Sequence, residues 1–198
     1  VYLVRAGISP RVIATDNKNG PLANAAKNVA LSGLDEQIEL RLADGLKGIA
    51  PGECGDIVIA GMGGVLIAQI LSRAGWLRGG ATHLVLQPMS RAEALRLWLS
   101  TNGFVILCEN ACFDDGRAYI CMEAVFTGEP VSCAMPQYAY SYIGELRRCE
   151  AEAAKVYLVK QAAHLKRRLA GLERVSAPGL EAENIKQTIE FIAEVVDA

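Results

Sequence analysis

Three glycines fall within four positions at Gly61-Met62-Gly63-Gly64. Glycine costs backbone entropy, and one turn rarely needs three. The run marks a place where the backbone takes positive φ or comes close to something. Acidic residues stand at two further points, Asp16 and Asp44-Gly45, and Gln87-Pro88 makes a fourth. Each has an ordinary reading as well: Asp16 caps the turn that follows it, and Asp44-Gly45 is a plain turn. An aspartate at a strand end is also placed to accept two hydrogen bonds from a ribose diol. Familiar phosphate loops do not fit. Counting from Gly61, the sixth position is Leu66, so Gly-x-Gly-x-x-Gly fails, and no Gly-Lys-Ser/Thr occurs. No Ser or Cys sits in an exposed nucleophile turn with a histidine partner. His83 falls in or at the start of a strand pattern and His164 in a helical one, so both read as structural or surface residues.

These residues matter only if the elements around them bring them to one edge. Arg11 to Asp16 reads as a strand, and a helix follows from Asn19-Gly20-Pro21, with Pro21 suited to the first helical position. That helix carries Leu22, Ala25, Ala26, Val29 and Ala30 and stops at Gly33. Gln37 to Ala43 alternates as a second strand. Asp56 to Ala60 is apolar on consecutive positions, the pattern of a strand buried on both faces. A helix through Leu66, Ile67, Ile70 and Leu71 follows, then a strand over Thr82–Gln87 and a helix over Arg91–Asn102. Phe104–Phe113 and Ala118–Phe126 flank Asp114-Asp115-Gly116-Arg117, a hairpin signal. The alternation predicts an α/β fold with a mostly parallel sheet and an antiparallel hairpin strand near its edge. In such sheets ligands bind beyond the carboxyl ends of the strands, which is where Asp16, Asp44, the glycines and Gln87 fall.

A linker over 128–135 separates residues 1–130 from a helical region at 136–198. There Leu158, Ala162, Leu165, Leu169 and Leu172 are spaced 4, 3, 4, 3, and Ile185, Ile189, Ile192 and Val196 are spaced 4, 3, 4. With a break at Ser176-Ala-Pro-Gly179, this predicts an antiparallel coiled-coil hairpin of two helices. Between 155 and 174 lie Lys155, Lys160, Lys166, Arg167, Arg168 and Arg174 against Glu173 alone. Such a run is either a solvated face or a phosphate-contacting one.

Composition bounds the rest. The 198 residues make one full domain or a domain plus an extension, and 52% hydrophobic residues suffice for a core. With 20 Lys+Arg against 22 Asp+Glu the net charge is −2, which excludes a globally basic nucleic-acid binder but not a local basic face. No apolar run approaches the roughly 20 residues of a membrane span, and no signal peptide is expected. Cys54, Cys108, Cys112, Cys121, Cys133 and Cys149 are scattered without Cys-x-x-Cys pairs. They predict no metal site, and read as reduced cytosolic thiols acting as small core residues.

The order of an acid after one strand, Asp-Gly after the next, a glycine run after the third and a terminal hairpin resembles a class I S-adenosylmethionine-dependent methyltransferase, a Rossmann-like fold. More narrowly, Val58-Ile-Ala-Gly-Met-Gly-Gly64 resembles the motif of the bacterial tRNA (adenine-22, N1)-methyltransferases, the TrmK family. Gly20-Pro21-Leu22-Ala23-Asn24-Ala25, Lys27-Asn28-Val29, Leu84-Val-Leu-Gln-Pro88 and the Asp-Asp-Gly-Arg hairpin support it, and the helical hairpin at 136–198 matches in position and pattern.

The resemblance implies S-adenosyl-L-methionine as cofactor, tRNA as partner, methyl transfer to adenine N1 and a cytoplasmic location. It implies cofactor contacts from Asp16, Asn17, Ala43, Asp44, Gly45 and Gly61. Met62, Gly63, Gly64, Gln87 and Pro88 would line the substrate side, and Lys160, Lys166, Arg167 and Arg168 would contact tRNA. Family members begin with a further strand and a glycine-containing loop bearing Asp-His. This sequence opens at Val1-Tyr-Leu-Val-Arg-Ala-Gly7, which matches the end of the helix after that loop. No catalytic carboxylate is therefore expected within these residues, and their hold on the cofactor is expected to be incomplete. Two other readings remain open at this point: a class I methyltransferase with another substrate, and a degenerate, non-catalytic domain that binds a partner through its helical arm.

Overall fold

The computed structural model describes residues 1–80, 82–129, 135–175 and 179–197. By contact the chain divides into two compact units, Val1–Glu53 with Ile70–Gly75, and Cys54–Gln69 with Trp76–Ala198.

The first unit opens with a short helix α1 (Tyr2–Arg5), followed by β1 (Val12–Asp16), α2 (Asn19–Leu31) and β2 (Ile38–Leu42). β1 and β2 pair in parallel, from Val12↔Ile38 to Asp16↔Leu42. α2 starts two residues earlier than its proline suggests: Lys18 is the N-cap and Pro21 the third helical residue. A proline is tolerated there because first-turn N–H groups have no intrahelical partner. Gly33, at φ +63°, ends the helix as expected. Of the predicted apolar stripe, Val29 is buried and Leu22 and Ala25 are half-buried, while Ala26 and Ala30 are exposed. Arg41 closes the loop after β2: it bonds Glu39 at 2.7 Å, the Gly48 carbonyl at 2.6 Å and both Glu53 oxygens at 2.6 and 3.0 Å.

The second unit is built on a four-stranded sheet of order β3-β4-β6-β5, from β3 (Asp56–Gly63), β4 (His83–Ser90), β5 (Phe104–Asp114) and β6 (Arg117–Phe126). β3 and β4 are parallel, and β6 runs antiparallel to both β4 and β5. The hairpin turn is the two-residue loop Asp115-Gly116, with φ +45° and +70°. Positive φ at both positions matches the twist of the strands, which is why Asp-Gly announced it. α3 (Gly64–Arg73) and α4 (Ala92–Thr101) follow β3 and β4, and the core takes Ile67, Leu84, Leu86, Leu95, Leu99 and Met122. β3 departs from expectation. Ile57 and Ile59 are buried, but Val58 is 56% exposed and Ala60 is exposed, so one face only is covered. β3 is an edge of this sheet, paired with β4 alone among the described residues.

The region after the hairpin holds one helix more than expected. α5 (Gln137–Ile143) and a 3₁₀ turn (Gly144–Arg148) precede α6 (Glu152–Val175) and α7 (Leu180–Asp197). α5 is buried from Ala139 to Ile143. α6 packs against α7 and also against β5 and β6, and α7 against α5. Leu158, Leu165, Ile185 and Ile192 are buried on the predicted seam; Ala162, Leu169, Leu172, Ile189 and Val196 are half-buried. The expected linker falls largely on 130–134 and the expected break on 176–178, both outside the described residues.

The cysteines are not core residues. Cys108 and Cys112 are exposed, and Cys54, Cys121 and Cys149 half-buried, none of the five in a disulfide among the described residues; Cys133 lies outside them. Cys108 and Cys112 lie on β5, an outer strand of its sheet, and Cys108 follows a register shift after Ile106.

Candidate active site

Asp16 ends β1, and the Ala43 amide donates to the Asp16 carbonyl at 2.9 Å, so the ladder continues one step past Leu42. That places Asp16, Asn17, Ala43, Asp44 and Gly45 at the carboxyl edge of the two-stranded sheet. One oxygen of Asp16 accepts the Lys18 amide at 2.8 Å, the turn-capping role expected of it. Asp44 is exposed; it bonds Lys47 at 2.8 Å and Arg73 at 3.4 Å, and Lys47 first, then Arg73, holds its carboxyl below the ordinary range. Gly45 stands at φ +62°, and a Cβ there would meet Ile70 Cγ2 at 2.8 Å. Its carbonyl accepts the Thr15 hydroxyl at 3.1 Å.

In the second unit the glycine run is not a free turn. β3 continues through it, with Met62 opposite Pro88 and Gly63 opposite Ser90, and register shifts on either side of Met62. Gly61 is the bulged residue, at φ +76° with open space where a Cβ would be; its amide donates to Gln87 Oε1 at 2.9 Å. Gly64 begins α3 and is needed for a different reason, since a Cβ would stand 2.3 Å from the Arg91 carbonyl oxygen. Arg91 is itself left-handed at φ +54°, unusual for a non-glycine residue. Its side chain bonds Glu93 at 2.5 Å. Met62 and Met89 are partly exposed beside the run, while Pro88 is buried.

Beyond the end of β4 lies a cavity of about 1170 Å³. Its walls are Pro88–Ala94 at the start of α4, Arg117–Ile120 at the hairpin tip, α5, and one stripe of α6. Of the predicted substrate residues Pro88 lines it, while Met62, Gly63, Gly64 and Gln87 do not. Of the predicted tRNA contacts Lys160 and Arg168 line it. Arg168 is engaged within the arm, donating to the Tyr142 hydroxyl at 3.3 Å and pairing with Glu181. Lys166 and Arg167 are exposed and make no ion pair among the described residues.

Comparison with known proteins fits this geometry. A family model described as a methyltransferase domain matches residues 1–122. The chain is 30% identical to the tRNA (adenine(22)-N(1))-methyltransferase of Bacillus subtilis (strain 168), over 93% of this chain and 80% of that protein. It belongs to the tRNA (adenine(22)-N(1))-methyltransferase family. Among solved structures, the B. subtilis M1A22 tRNA methyltransferase TrmK superposes with a TM-score of 0.80 at 26% identity, covering 99% of this chain and 86% of that one. A Streptococcus pneumoniae protein, Sp1610, a candidate tRNA (m1A22) methyltransferase in complex with S-adenosyl-L-methionine, superposes at 0.76 with 31% identity, covering 98% and 85%.

In this family member, the largest charged feature escaped the sequence. Arg96 is fully buried and bidentate to Glu109, at 2.8 and 3.0 Å, and also donates to the Ser141 and Tyr142 carbonyls at 3.0 and 3.1 Å. A Cβ on Gly144 would stand 2.4 Å from Arg96 Nε, and glycine takes φ +60° there. Burial pushes Glu109 up while Arg96 pulls it down. The two-bond geometry is that of an ion pair, so both groups are charged. This pair joins α4, β5 and α5 into one body. Arg91 and the tyrosines of the cavity were missed too; the only signal was a tyrosine at 138, 140 and 142. Among the described residues no group of three His, Cys, Asp or Glu is arranged to hold a metal ion. No described helix is long and apolar enough to cross a membrane.

Proposed function

We propose that this protein transfers a methyl group from S-adenosyl-L-methionine to N1 of an adenine in tRNA, position 22 as in its named relatives, and does so in the cytoplasm. The observation that carries the reading is the bulged glycine end of β3, in a chain that belongs to this family. Gly61 and Gly63 leave backbone without side-chain bulk on either side of Met62 along a strand edge, which suits a flat base.

The residues present fit the cofactor. Asp16 offers a carboxylate with only one oxygen engaged by the Lys18 amide, so the other is placed for a ribose diol. Asp44 is kept ionised by Lys47 and Arg73, as an acceptor for an adenine amine must be, with the Ala43 and Gly45 backbone beside it and Asn17 next to Asp16. Gly61 offers its carbonyl edge while its amide is spent on Gln87. The bound cofactor supplies a methyl group on a sulfonium, already an electrophile with a good leaving group. The protein need only hold the nitrogen in line with it, and positioning alone is worth about 7–11 kcal/mol. Met62, Gly63, Gly64, Gln87 and Pro88 would shape the substrate side. An adenine drawn out of folded RNA costs a few kcal/mol in lost stacking. In this reading residues 1–130 form the catalytic part, and residues 136–198 form an arm whose Lys160, Lys166, Arg167 and Arg168 face tRNA.

The test uses the full-length protein with methyl-labelled cofactor and an unmodified tRNA transcript, and nucleoside analysis of the product. N1-methyladenosine should form, and a transcript with guanine at position 22 should take up no label. Label elsewhere, or none with a folded protein that binds the cofactor, would remove the reading.

A further inference from the structure

We propose that the cavity between the start of α4, the hairpin tip, α5 and α6 is a second nucleotide pocket, holding an unpaired nucleotide of the RNA that neighbours the methylated adenine. The inference rests on the proposed function and adds a place on the protein where that substrate is read.

The lining carries both halves of a nucleotide's chemistry. Tyr119, Tyr138, Tyr142 and Tyr157 contribute aromatic faces, on which any base can stack. Tyr138 and Tyr142 already lie with ring centroids 5.4 Å apart, tilted by 40°. For the phosphates, four Arg or Lys side chains line the cavity against one acid, Glu93. Two of the cations are committed: Arg91 to Glu93, and Arg168 to Tyr142 and Glu181. Arg117 and Lys160 are exposed and make no ion pair among the described residues. One is at the hairpin tip and the other on α6, so two elements of the lining each bring a cation to the cavity.

One buried atom adds to this. The Tyr138 hydroxyl is shielded from water and has no hydrogen-bond partner of acceptable geometry. It is close enough to Tyr142 to help burial push that phenol up to about 12. Buried polar atoms without partners are few in folded proteins, and each asks for an explanation. The Tyr138 ring lines the cavity, so a rotation of it on stacking would bring this hydroxyl to a base edge.

Position fits as well. Pro88 and Ser90 form one wall of the cavity and are the ladder partners of Met62 and Gly63. The pocket therefore begins on the same two rungs that carry the glycine edge, so a nucleotide in it would be next to the adenine held there. Volume sets no obstacle, since about 1170 Å³ exceeds the range of roughly 300–1,000 Å³ typical of small-ligand sites. A duplex cannot use it, because paired bases hide the faces that tyrosines stack on.

Two measurements on the full-length protein test this. First, transcripts carrying 5-bromouridine on either side of position 22 are photocrosslinked and the attached peptides mapped. Second, tRNA binding is measured at equilibrium, and KM and kcat by methylation, for Arg117→Ala with Lys160→Ala, for Tyr138→Phe, and for Lys186→Ala, on α7 and paired with Glu173, as a control outside the cavity. We expect crosslinks to peptides containing Tyr119, Tyr138 or Tyr157. The double variant should weaken tRNA binding and raise its KM about tenfold or more, the loss typical of hydrogen bonds to charged groups. Its kcat and cofactor affinity should hold, and the Tyr138→Phe variant should lose a smaller factor. Crosslinks confined to other surfaces, or a double variant that binds tRNA like the control, overturn the inference. Crosslinking and binding need no turnover. Cavity crosslinks without methylation would therefore defeat the proposed function and leave the pocket, and methylation with unchanged binding would do the reverse.

Discussion

Replacing Gly64 by alanine sets two opposed effects against each other. Gly64 is the first residue of α3 and has helical, not left-handed, backbone, so alanine there is favoured by about 0.5–1 kcal/mol on propensity. Against this, the new Cβ would stand 2.3 Å from the Arg91 carbonyl oxygen, 2.9 Å from its carbonyl carbon and 3.2 Å from Leu95 Cβ. The first distance must widen to at least 3.0 Å. Neither side yields easily. The Arg91 carbonyl accepts the Ala94 amide at 3.1 Å, and Leu95 is fully buried. Forcing atoms into a packed site costs about 1–3 kcal/mol, so the clash outweighs the propensity and a net loss of about 1–2 kcal/mol results. The displacement falls beside Met62 and Gly63, where the base is proposed to lie, and a misplacement of about 1 Å can cost 100-fold in rate. Urea denaturation and kcat/KM for tRNA read the two effects. Gly171→Ala is the control: that position is inside α6, four residues before its end, with nothing within 4 Å of a Cβ, and it should stabilise by about 0.5–1 kcal/mol. If Gly64→Ala is as stable as Gly171→Ala and turns over like the parent, the close approach is not what requires glycine.

Asp16→Ala should weaken S-adenosyl-L-methionine binding by about 1–3 kcal/mol by calorimetry, and unchanged affinity would remove Asp16 from the site. Glu109→Ala leaves Arg96 buried without its partner and should cost about 3–5 kcal/mol in denaturation, whereas a loss below about 1 kcal/mol would mean the pair is not closed in solution. Glu53 is held down to about 2 by Arg41 and then the Ala50 amide, from an ordinary value of 4.5. A depressed carboxylate stabilises the fold above its unfolded pKa, so this contribution is complete above about 4.5 and fades as pH falls toward 2. Glu53→Gln should flatten acid unfolding in that window, and an unchanged pH profile would contradict the assignment. Lys166→Ala with Arg167→Ala should lower the salt slope of tRNA binding by about 1 for each phosphate left unneutralised, and a slope like the parent's would make them a solvated face.

What could be read from the residues alone was whatever depends on local chemistry. Asp115-Gly116 dictates a two-residue turn whichever way the rest folds, and the parallel strand–helix order places Asp16, Asp44 and the glycines at carboxyl edges by a general rule. What was hidden depends on which surfaces meet. Consecutive apolar residues at Asp56–Ala60 cannot say whether a second layer arrives, and Val58 remains exposed. α5 has seven residues and no side-chain cap, so nothing in Gln137–Ile143 announces a helix; it exists because its residues are buried against α4 and α7. Arg96, on an amphipathic helix, reads as a solvent residue until Glu109, thirteen positions on, is brought under it.

The three glycines of the central motif show the same divide within four residues. Gly61 is required by its own φ, Gly64 by a neighbour's carbonyl, and Gly63 by little more than a Ser90 hydroxyl at 3.3 Å from where a Cβ would be. The composition of the run was a sound pointer to a special backbone. But Gly61 and Gly64 serve the fold before they serve any ligand, and only Gly63 remains as a glycine that folding alone leaves unexplained. The same test separates the basic residues of α6. Arg168 is tied to Tyr142 and Glu181 and so shapes a wall, while Lys160, with no such tie among the described residues, has its charge left over for a phosphate. A charge run in a sequence therefore divides by partner, not by sign, and the residues without partners are the ones whose removal should be felt by RNA.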